Sequence, residues 1–309
     1  MLVPLLLAIF SAVLYASSGH IDKYLISKAV KNADYRALIL VSTFVSGGAM
    51  TIIYLFVCNF NLALDLVSIL WLLLGSVLEV VALIFWFKAL DKEDVTVATI
   101  MLQLIPVFML LIAPIFLKDQ NISLVQLIGG MVVMFAAILV TYEPSKKRFD
   151  KNKLIALAMM ALASLAYAMR DMIERYVNQD HDFNQTILWL NITLLVVGIF
   201  LLVFIKSYRV SFKKMLKSNG VKVVGLNLVN ELFYSFGRVA SALAGTFASV
   251  ALVSFVIQGV QPFAVMLLGI LITKCFPKIE KEKITRKEVA KRTITIAICV
   301  IGLACIEFG

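Results

Sequence analysis

Apolar segments of about 20 residues follow one another along the whole chain, separated by short polar stretches. A helix needs about this many apolar residues to cross the hydrocarbon core of a bilayer. None of the segments alternates apolar and polar residues as a membrane-barrel strand does. Because only helices and closed barrels satisfy the whole backbone in lipid, the pattern predicts an all-α integral membrane protein. The predicted transmembrane helices, spans 1 to 10, cover residues 2–19, 37–57, 66–87, 96–117, 122–141, 153–172, 186–205, 221–243, 247–273 and 292–308.

The basic residues fall mainly on one side of these spans. Of the 29 lysine and arginine residues, 25 lie in or beside the loops that follow odd-numbered spans, and the other four are Lys118, Arg170, Arg175 and Arg238. Basic residues accumulate in cytoplasmic loops. The distribution therefore predicts that both termini are extracytoplasmic, and it explains the net charge of +10 without a nucleic-acid partner.

Composition supports the membrane assignment and limits the chemistry. The chain is 61% hydrophobic and 16% charged, whereas a soluble domain has about 45–50% apolar and about 25% charged residues. Its four cysteines form no Cys-x-x-Cys pair and it has only two histidines, so we expect no metal site, no disulfide framework and no cofactor. The content of Lys, Ile and Asn indicates a bacterial plasma membrane.

The second half of the chain repeats the first with an offset of 152 positions. The matches keep their order along both halves: Tyr15-Ala16 with Tyr167-Ala168, residues 21–24 with 173–176, Glu79 with Glu231 and, after small insertions, Pro106 with Pro262. Five spans per half is an odd number, so the second half enters the membrane from the opposite side. The sequence thus predicts two inverted five-helix repeats, residues 1–145 and 150–309, in one compact unit, an architecture typical of secondary transporters.

Short motifs occur where the third span of each half meets the fourth, and beyond it. They are Ala89-Leu90, Val95-Thr96-Val97-Ala98, Pro106, Leu117-Lys118-Asp119 and Gln126-Leu127-Ile128-Gly129 in the first half, and Ala242-Leu243, Ala248-Ser249-Val250-Ala251, Pro262 and Glu282 in the second. With these motifs nearly the whole chain resembles the drug/metabolite transporter superfamily, in its ten-helix EamA-like branch. The resemblance implies a substrate cavity lined by spans 1, 3, 4, 6, 8 and 9. The chain lacks the Glu that small four-helix members carry in their first helix.

Two acidic residues lie where a membrane span is normally apolar. Glu79 is near the middle of span 3 and Glu231 near the middle of span 8. A central acid costs about 2.5–3.5 kcal/mol on insertion scales, so such residues are usually functional. We hypothesise that both carboxyls face a shared cavity, where they bind a cationic group or exchange protons. The alternative is a structural role, with each carboxyl protonated and hydrogen-bonded between helices.

Further candidate binding residues follow the same helical stripes. They are Tyr15, Trp86, Gln103, Tyr167, Arg170, Asn227, Tyr234, Arg238 and Gln258. The aromatic side chains could stack on a substrate or bind a cation, or they could serve as interfacial anchors. The two arginines could bind a substrate carboxylate or phosphate, or form a gate salt bridge with Asp171 or Glu174. Pro106 and Pro262 are expected to kink spans 4 and 9 for gating, although such kinks also occur in static helices.

These features favour a secondary active transporter, a permease or exporter that moves a small polar, amphoteric or cationic metabolite by alternating access with protons as the coupling ion. Its expected partners are this substrate and the bilayer, with lipid or a second copy of the chain, in a homodimer, against the less polar spans 5 and 10. A lipid or lipid-linked sugar translocase is the alternative, because fold does not fix substrate. A channel fits two symmetry-related carboxyls less well. An intramembrane enzyme is remote, since the acidic cluster at 91–94 has no counterpart at 244–247.

Overall fold

The structure, a computed structural model, describes residues 2–29, 34–116, 123–140, 142–143, 148–149, 151–247, 250–276 and 285–308. Within these ranges the chain is helical, apart from short turns and one antiparallel pair of two-residue strands, β1 (Tyr142–Glu143) and β2 (Arg148–Phe149). The α-helices are α1 (Leu2–Tyr24), α2 (Tyr35–Val45), α3 (Thr51–Val57), α4 (Leu66–Lys92), α5 (Val95–Leu102), α6 (Leu104–Phe116), α7 (Leu124–Leu139), α8 (Lys151–Val177), α9 (Phe183–Phe204), α10 (Lys206–Phe247), α11 (Val250–Cys275) and α12 (Arg286–Phe308).

Eight helical segments in the described ranges are long and apolar enough to cross a membrane. They are Leu2–Lys28, Tyr35–Val57, Leu66–Lys92, Val95–Ile112, Lys151–Val177, Phe183–Phe204, Phe255–Cys275 and Arg286–Ile306. The shorter apolar helix Leu124–Leu139 lies at the predicted position of span 5. The chain is therefore an all-α multi-pass membrane protein, as the apolar pattern predicts.

Helix α10 differs most from the sequence expectation, which left residues 206–220 between two spans. The structure instead continues one helix from Lys206 to Phe247, 42 residues in all. At about 1.5 Å per residue it is about 63 Å long, about twice the thickness of a hydrocarbon core. Its first part therefore lies outside the hydrocarbon. Basic residues interrupt the apolar pattern there, which is why hydropathy alone does not predict a helix.

The two prolines have unequal effects on their helices. Pro106 has no N–H for the carbonyl of Leu102, and its ring crowds that carbonyl. The helix breaks there: α5 ends at Leu102, α6 begins at Leu104, and Gln103 N–H bonds Ile100 O at 3.2 Å. Pro262 lies inside the uninterrupted α11. Pro106 thus lies beside an interruption, whereas Pro262 lies within a continuous helix, and the expected kink at each proline stays a prediction.

The helices pack as a set of paired contacts. Helix α1 lies along α10 and α11, while α8 lies along α4 and along α5 and α6. Helix α4 contacts α9, and α10 contacts α2. Helix α7 packs on α12, and α9 packs on α2 and α3. Outward-facing apolar residues such as Met131, Phe135 and Ile301 leave α7 and α12 at the edge of the bundle, where the sequence places spans 5 and 10.

Glycines allow close backbone contact where α7 crosses α12. A Cβ on Gly129 would lie 2.6 Å from the carbonyl oxygen of Gly302, and a Cβ on Gly302 would lie 2.8 Å from the carbonyl oxygen of Gly129. Either distance is too short for a real contact. Small residues at helix crossings are common in membranes because packing replaces the hydrophobic effect there.

Candidate functional site

A cavity of about 1020 Å³ lies between the helices. Ten of the eleven candidate binding residues line it: Tyr15, Glu79, Trp86, Gln103, Tyr167, Arg170, Glu231, Tyr234, Arg238 and Gln258. The eleventh, Asn227, is fully buried behind the wall and donates a hydrogen bond from Nδ2 to Ser42 Oγ at 3.1 Å. The stripes read from the sequence thus converge on one space.

Among the described residues that line the cavity, the exposed ones lie toward one end of it. We call this the α8–α9 end, because the exposed Arg175 and Phe183 line it where α8 ends and α9 begins. At the opposite end, the α4–α5 end, the lining residues Asp22 and Trp86 are 9% and 6% exposed. Beyond them Lys23 Nζ donates to the carbonyls that end α4, including that of Glu93 at 3.0 Å. The structure therefore presents the cavity to the α8–α9 end.

An ion-pair cluster lies in the wall toward the α8–α9 end. Arg170 Nη1 donates to Asp171 Oδ1 at 2.7 Å and lies 3.3 Å from Glu174 Oε2. Arg170 Nε lies 3.6 Å from Glu79 Oε2, too far for a hydrogen bond. Arg238 Nη2 donates to Glu174 Oε1 at 3.1 Å. Two guanidinium groups thus meet three carboxylates, and the salt bridges proposed for Arg170 with Asp171 and Glu174 are both present.

Nearer the α4–α5 end, the cavity holds two carboxyls with neutral partners. Asp22 accepts one hydrogen bond from Trp86 Nε1 at 2.9 Å and one from Asn230 Nδ2 at 2.7 Å. Glu231 lies beside the hydroxyls of Ser42 and Ser46 on the neighbouring span. Within the described ranges, neither carboxyl makes an ion pair, so no cation holds either of them in the charged form.

Aromatic rings form part of the wall between these two regions. The ring centroids of Tyr15 and Tyr234 lie 5.4 Å apart with planes tilted by 47°. The Tyr15 ring fits against the backbone of α10 because residue 237 is glycine, where a Cβ would lie only 2.7 Å from the ring. Ser11 Oγ donates to the carbonyl of the same glycine at 2.8 Å. Helices α1 and α10 are thereby held in direct contact beside the cavity.

Sequence reasoning missed part of the lining. Ser42, Ser46 and Tyr54 reach the cavity from the second span, and Phe183 and Asn184 reach it from α9, although neither span was predicted to line it. Ser42 and Ser46 are four residues apart, a helical spacing that the sequence does show. Asn230 was also missed, because it lies beside Glu231 rather than on the same stripe.

Comparison with known proteins agrees with this architecture. Residues 2–142 match the model of the EamA-like transporter family, a family of membrane transporters. The predicted resemblance to the drug/metabolite transporter superfamily is thus confirmed over the first half of the chain. A solved crystal structure, described only as that of a protein, matches with a TM-score of 0.59 and 13% sequence identity. The match covers 99% of this chain and 98% of the other, and at that identity it shows the fold alone. The curated proteins contain no match.

Proposed function

We propose that this protein is a secondary active transporter, a permease or exporter that moves a small polar, amphoteric or cationic metabolite by alternating access. The observation that carries the proposal is the cavity itself. It lies inside a helical membrane bundle, reaches the surface at the α8–α9 end and is lined by ionisable side chains from several helices. Ionisable groups within a membrane are costly and usually mark a transport path.

The proposed architecture is ten spans in two inverted five-helix repeats, residues 1–145 and 150–309. In it, α7 and residues 221–247 of α10 add two crossings to the eight apolar segments. The packing supports this arrangement, because exchanging the two halves maps the most extensive helix contacts onto one another. The contact of α1 with α10 becomes that of α8 with α4, and the contact of α1 with α11 becomes that of α8 with α5 and α6. Such repeats can exchange conformations, which opens the cavity to the two sides in turn.

Protons are the proposed coupling ion, and Glu79 and Glu231 the proposed carriers. Their surroundings differ: Glu79 lies beside Arg170, whereas Glu231 has serine hydroxyls as neighbours. Glu231 is the better candidate because, within the part of the chain that the structure describes, it forms no ion pair. The proposed location is a bacterial plasma membrane with both termini extracytoplasmic, as the distribution of basic residues predicts.

A lipid or lipid-linked sugar translocase is the second candidate. The cavity wall includes Val239 and Leu243 of α10, which are 40% and 47% exposed on the outer surface of the bundle. Apolar, exposed lining at the α8–α9 end would let an acyl chain stay in the bilayer while a polar head enters the cavity.

The test is uptake of a pooled metabolite mixture into proteoliposomes, read by mass spectrometry with and without an inward proton gradient. We expect gradient-driven accumulation of one compound class, and its loss in Glu231→Gln. Asp180→Asn, a matched change in the exposed α8–α9 turn, should transport like the wild type. Unchanged pH dependence in both Glu79→Gln and Glu231→Gln would contradict the coupling role. If no soluble compound accumulates, the metabolite carrier is wrong and the lipid-linked substrate is favoured.

A further inference from the structure

Five basic residues cluster at the start of α10, in residues 206–217, which we call the basic segment. They are Lys206, Arg209, Lys213, Lys214 and Lys217. All five are exposed, and among the described residues none of them forms an ion pair. The chain has no acidic residue between Asp182 and Glu231. The basic segment therefore presents a positive surface with no acidic side chain of its own.

Other basic parts of the chain differ in this respect. Residues 278–292 contain seven basic residues but also three acidic ones, and residues 146–153 include Asp150. The accumulation of basic residues in cytoplasmic loops explains why so many lie on one side of the membrane. It does not require that acidic residues be excluded from one of the segments, so the basic segment calls for a further explanation.

The opposite face of the basic segment is fixed to the bundle. Tyr208, Ser211 and Met215 are 8%, 7% and 3% exposed. They are three and four residues apart, so they share one face of the helix. Ser211 Oγ donates a hydrogen bond to the carboxylate of Asp34. The basic side chains centre on the other side of the helix, and the structure holds them facing away from the bundle.

The basic segment lies beside the membrane boundary. The apolar span Phe183–Phe204 ends two residues before Lys206. Asp34, the partner of Ser211, immediately precedes the apolar span Tyr35–Val57. The polar headgroup layer of a bilayer begins where the apolar part of a span ends. Both the start and the middle of the basic segment therefore adjoin the headgroups.

Exposed apolar side chains lie among the basic ones. Val210 is 54% exposed and Leu216 is 47% exposed. A helix at the membrane surface with this mixture attracts anionic lipids and buries its apolar side chains at the boundary of the acyl region. A protein partner would have to bring acidic and apolar groups to this place. A phospholipid carries a phosphate and acyl chains in one molecule and already lies beside the spans.

We propose that the basic segment binds the headgroups of anionic phospholipids, with its basic side chains on the phosphates and Val210 and Leu216 against the adjoining acyl chains. Clusters of about 4–8 basic residues next to a transmembrane helix attract anionic lipids in this way. This surface lies outside the central cavity, and the inference does not depend on the proposed transport function.

The experiment measures lipid preference on purified full-length protein in micelles of a neutral detergent. Phosphatidylglycerol and phosphatidylcholine with identical acyl chains are added in equal amounts, and native mass spectrometry counts the bound molecules of each. We expect phosphatidylglycerol to be preferred. The preference should weaken as ionic strength rises from about 0.05 M to about 0.5 M, because salt screens exposed charges.

A combined variant removes four charges from the basic segment: Lys206→Gln, Lys213→Gln, Lys214→Gln and Lys217→Gln. Arg209 is kept because its Nη1 donates to the carbonyl of Val203 at the end of α9, at 2.9 Å. Each basic residue near a membrane surface changes anionic-lipid binding about fivefold. We therefore expect the preference for phosphatidylglycerol to fall about tenfold or more.

Two further variants separate this effect from net charge and from damage to the fold. The matched control removes four exposed lysines from four separate helices: Lys92→Gln, Lys151→Gln, Lys274→Gln and Lys287→Gln. It should keep most of the preference. Arginine in place of the same four lysines of the basic segment keeps the charge and should keep the preference as well.

Three results would overturn the proposal. One is an equal affinity of the wild type for the two lipids. Another is an equal loss of preference in the segment variant and in the matched control, which would mean that only net charge matters. The third comes from a poly-glutamate peptide as the competing probe. If the peptide binds the wild type more tightly than phosphatidylglycerol does, the basic segment is a docking surface for an acidic protein instead.

Discussion

The two halves of the chain hold equivalent acids with different donors. Asp22 and Glu174 are 152 positions apart, as are Trp86 and Arg238. Asp22 accepts from the neutral indole of Trp86 at 2.9 Å, while Glu174 accepts from the guanidinium of Arg238 at 3.1 Å. Ser18 stands where the second half has Arg170.

This difference gives the cavity its polarity. Both arginines of the two equivalent sites belong to the second half, so ion pairs form there, whereas Asp22 makes no ion pair in the described ranges. In the proposed inverted arrangement, equivalent positions lie at opposite ends of the cavity. One end would then hold ion-paired carboxylates, and the other a carboxyl with neutral partners.

Removing Arg170, whose equivalent in the first half is Ser18, should have the largest effect on stability. Arg170→Met leaves three carboxylates without their shared partner. Breaking a buried ion pair by removing one partner costs about 3–5 kcal/mol, and the Arg170 side chain is 7% exposed. The unfolding midpoint in detergent should drop sharply, with Arg209→Met unchanged as the exposed control. An unaltered midpoint in Arg170→Met would show that the cluster is not structural.

The close crossing of α7 and α12 has one glycine from each half, and substituting either glycine should lower stability equally. Gly129→Ala and Gly302→Ala each force a Cβ into the opposing backbone where α7 crosses α12. Overpacking of this kind costs about 1–3 kcal/mol, so both variants should lower the unfolding midpoint by similar amounts. Gly225→Ala, where a Cβ meets nothing within 4 Å, is the control. A large difference between the first two variants would mean that the crossing is not symmetric.

The hydrogen bond between Trp86 and Asp22 should contribute less to stability than the ion pairs of Arg170. Trp86→Phe keeps a ring but loses the indole donor to Asp22. Hydrogen bonds between membrane helices contribute about 1 kcal/mol, so we expect a modest fall in the unfolding midpoint, clearly smaller than for Arg170→Met. Trp189→Phe, which loses an exposed hydrogen bond to Leu62 O, is the matched control. An effect as large as that of Arg170→Met would remove the contrast between the halves.

The smallest effect concerns the start of α4. Asp65 caps this helix and accepts from the Ser68 N–H at 3.0 Å, whereas its equivalent, Lys217, lies inside the continuous α10. The hydrogen bonds from Ser68, with His181 nearby, lower the pKa of Asp65 to about 2. A depressed folded-state pKa stabilises the fold above the unfolded value of about 3.9, and that contribution is lost as the pH falls toward 2.

Thermal unfolding between pH 5 and pH 3, values chosen to lie on either side of about 3.9, checks this prediction. The wild type should lose slightly more stability over this interval than Asp65→Asn, whose amide still caps the helix. Asp180→Asn controls for removing a surface charge. Equal slopes in the wild type and Asp65→Asn would contradict the role of the cap.

Helical periodicity explains why most of the cavity could be predicted. Tyr15, Glu79 and Glu231 lie on polar stripes of otherwise apolar spans, and such stripes face the bundle interior. Tyr54 on the second span could not be grouped with Ser42 and Ser46, because a π-helical turn, Ser46–Met50, separates it from them. Without the turn, Tyr54 would lie about 80° from Ser46 around the axis. One extra residue in the π turn reduces that angle to about 20°, so both side chains reach the cavity.

The partners of the cavity residues could not be predicted. The contact between Glu79 and Arg170 joins α4 to α8 across the two halves, and no spacing within one helix encodes it. Asn230 and Glu231 are neighbours on α10 and reach Asp22 and Ser42 respectively. They do so because α10 lies between α1 and α2, an arrangement set by tertiary packing.

Alternating access is the central claim, and distances between spin labels test it most directly. One label pair, at Phe183 and Leu243, spans the α8–α9 end, and the other, at Lys92 and Lys222, spans the α4–α5 end; all four residues are exposed. Distances are measured in lipid on a cysteine-free background, with and without the compound that the uptake assay identifies. The account predicts that one distance shortens as the other lengthens. Two distances that stay fixed, or change in the same direction, would contradict it.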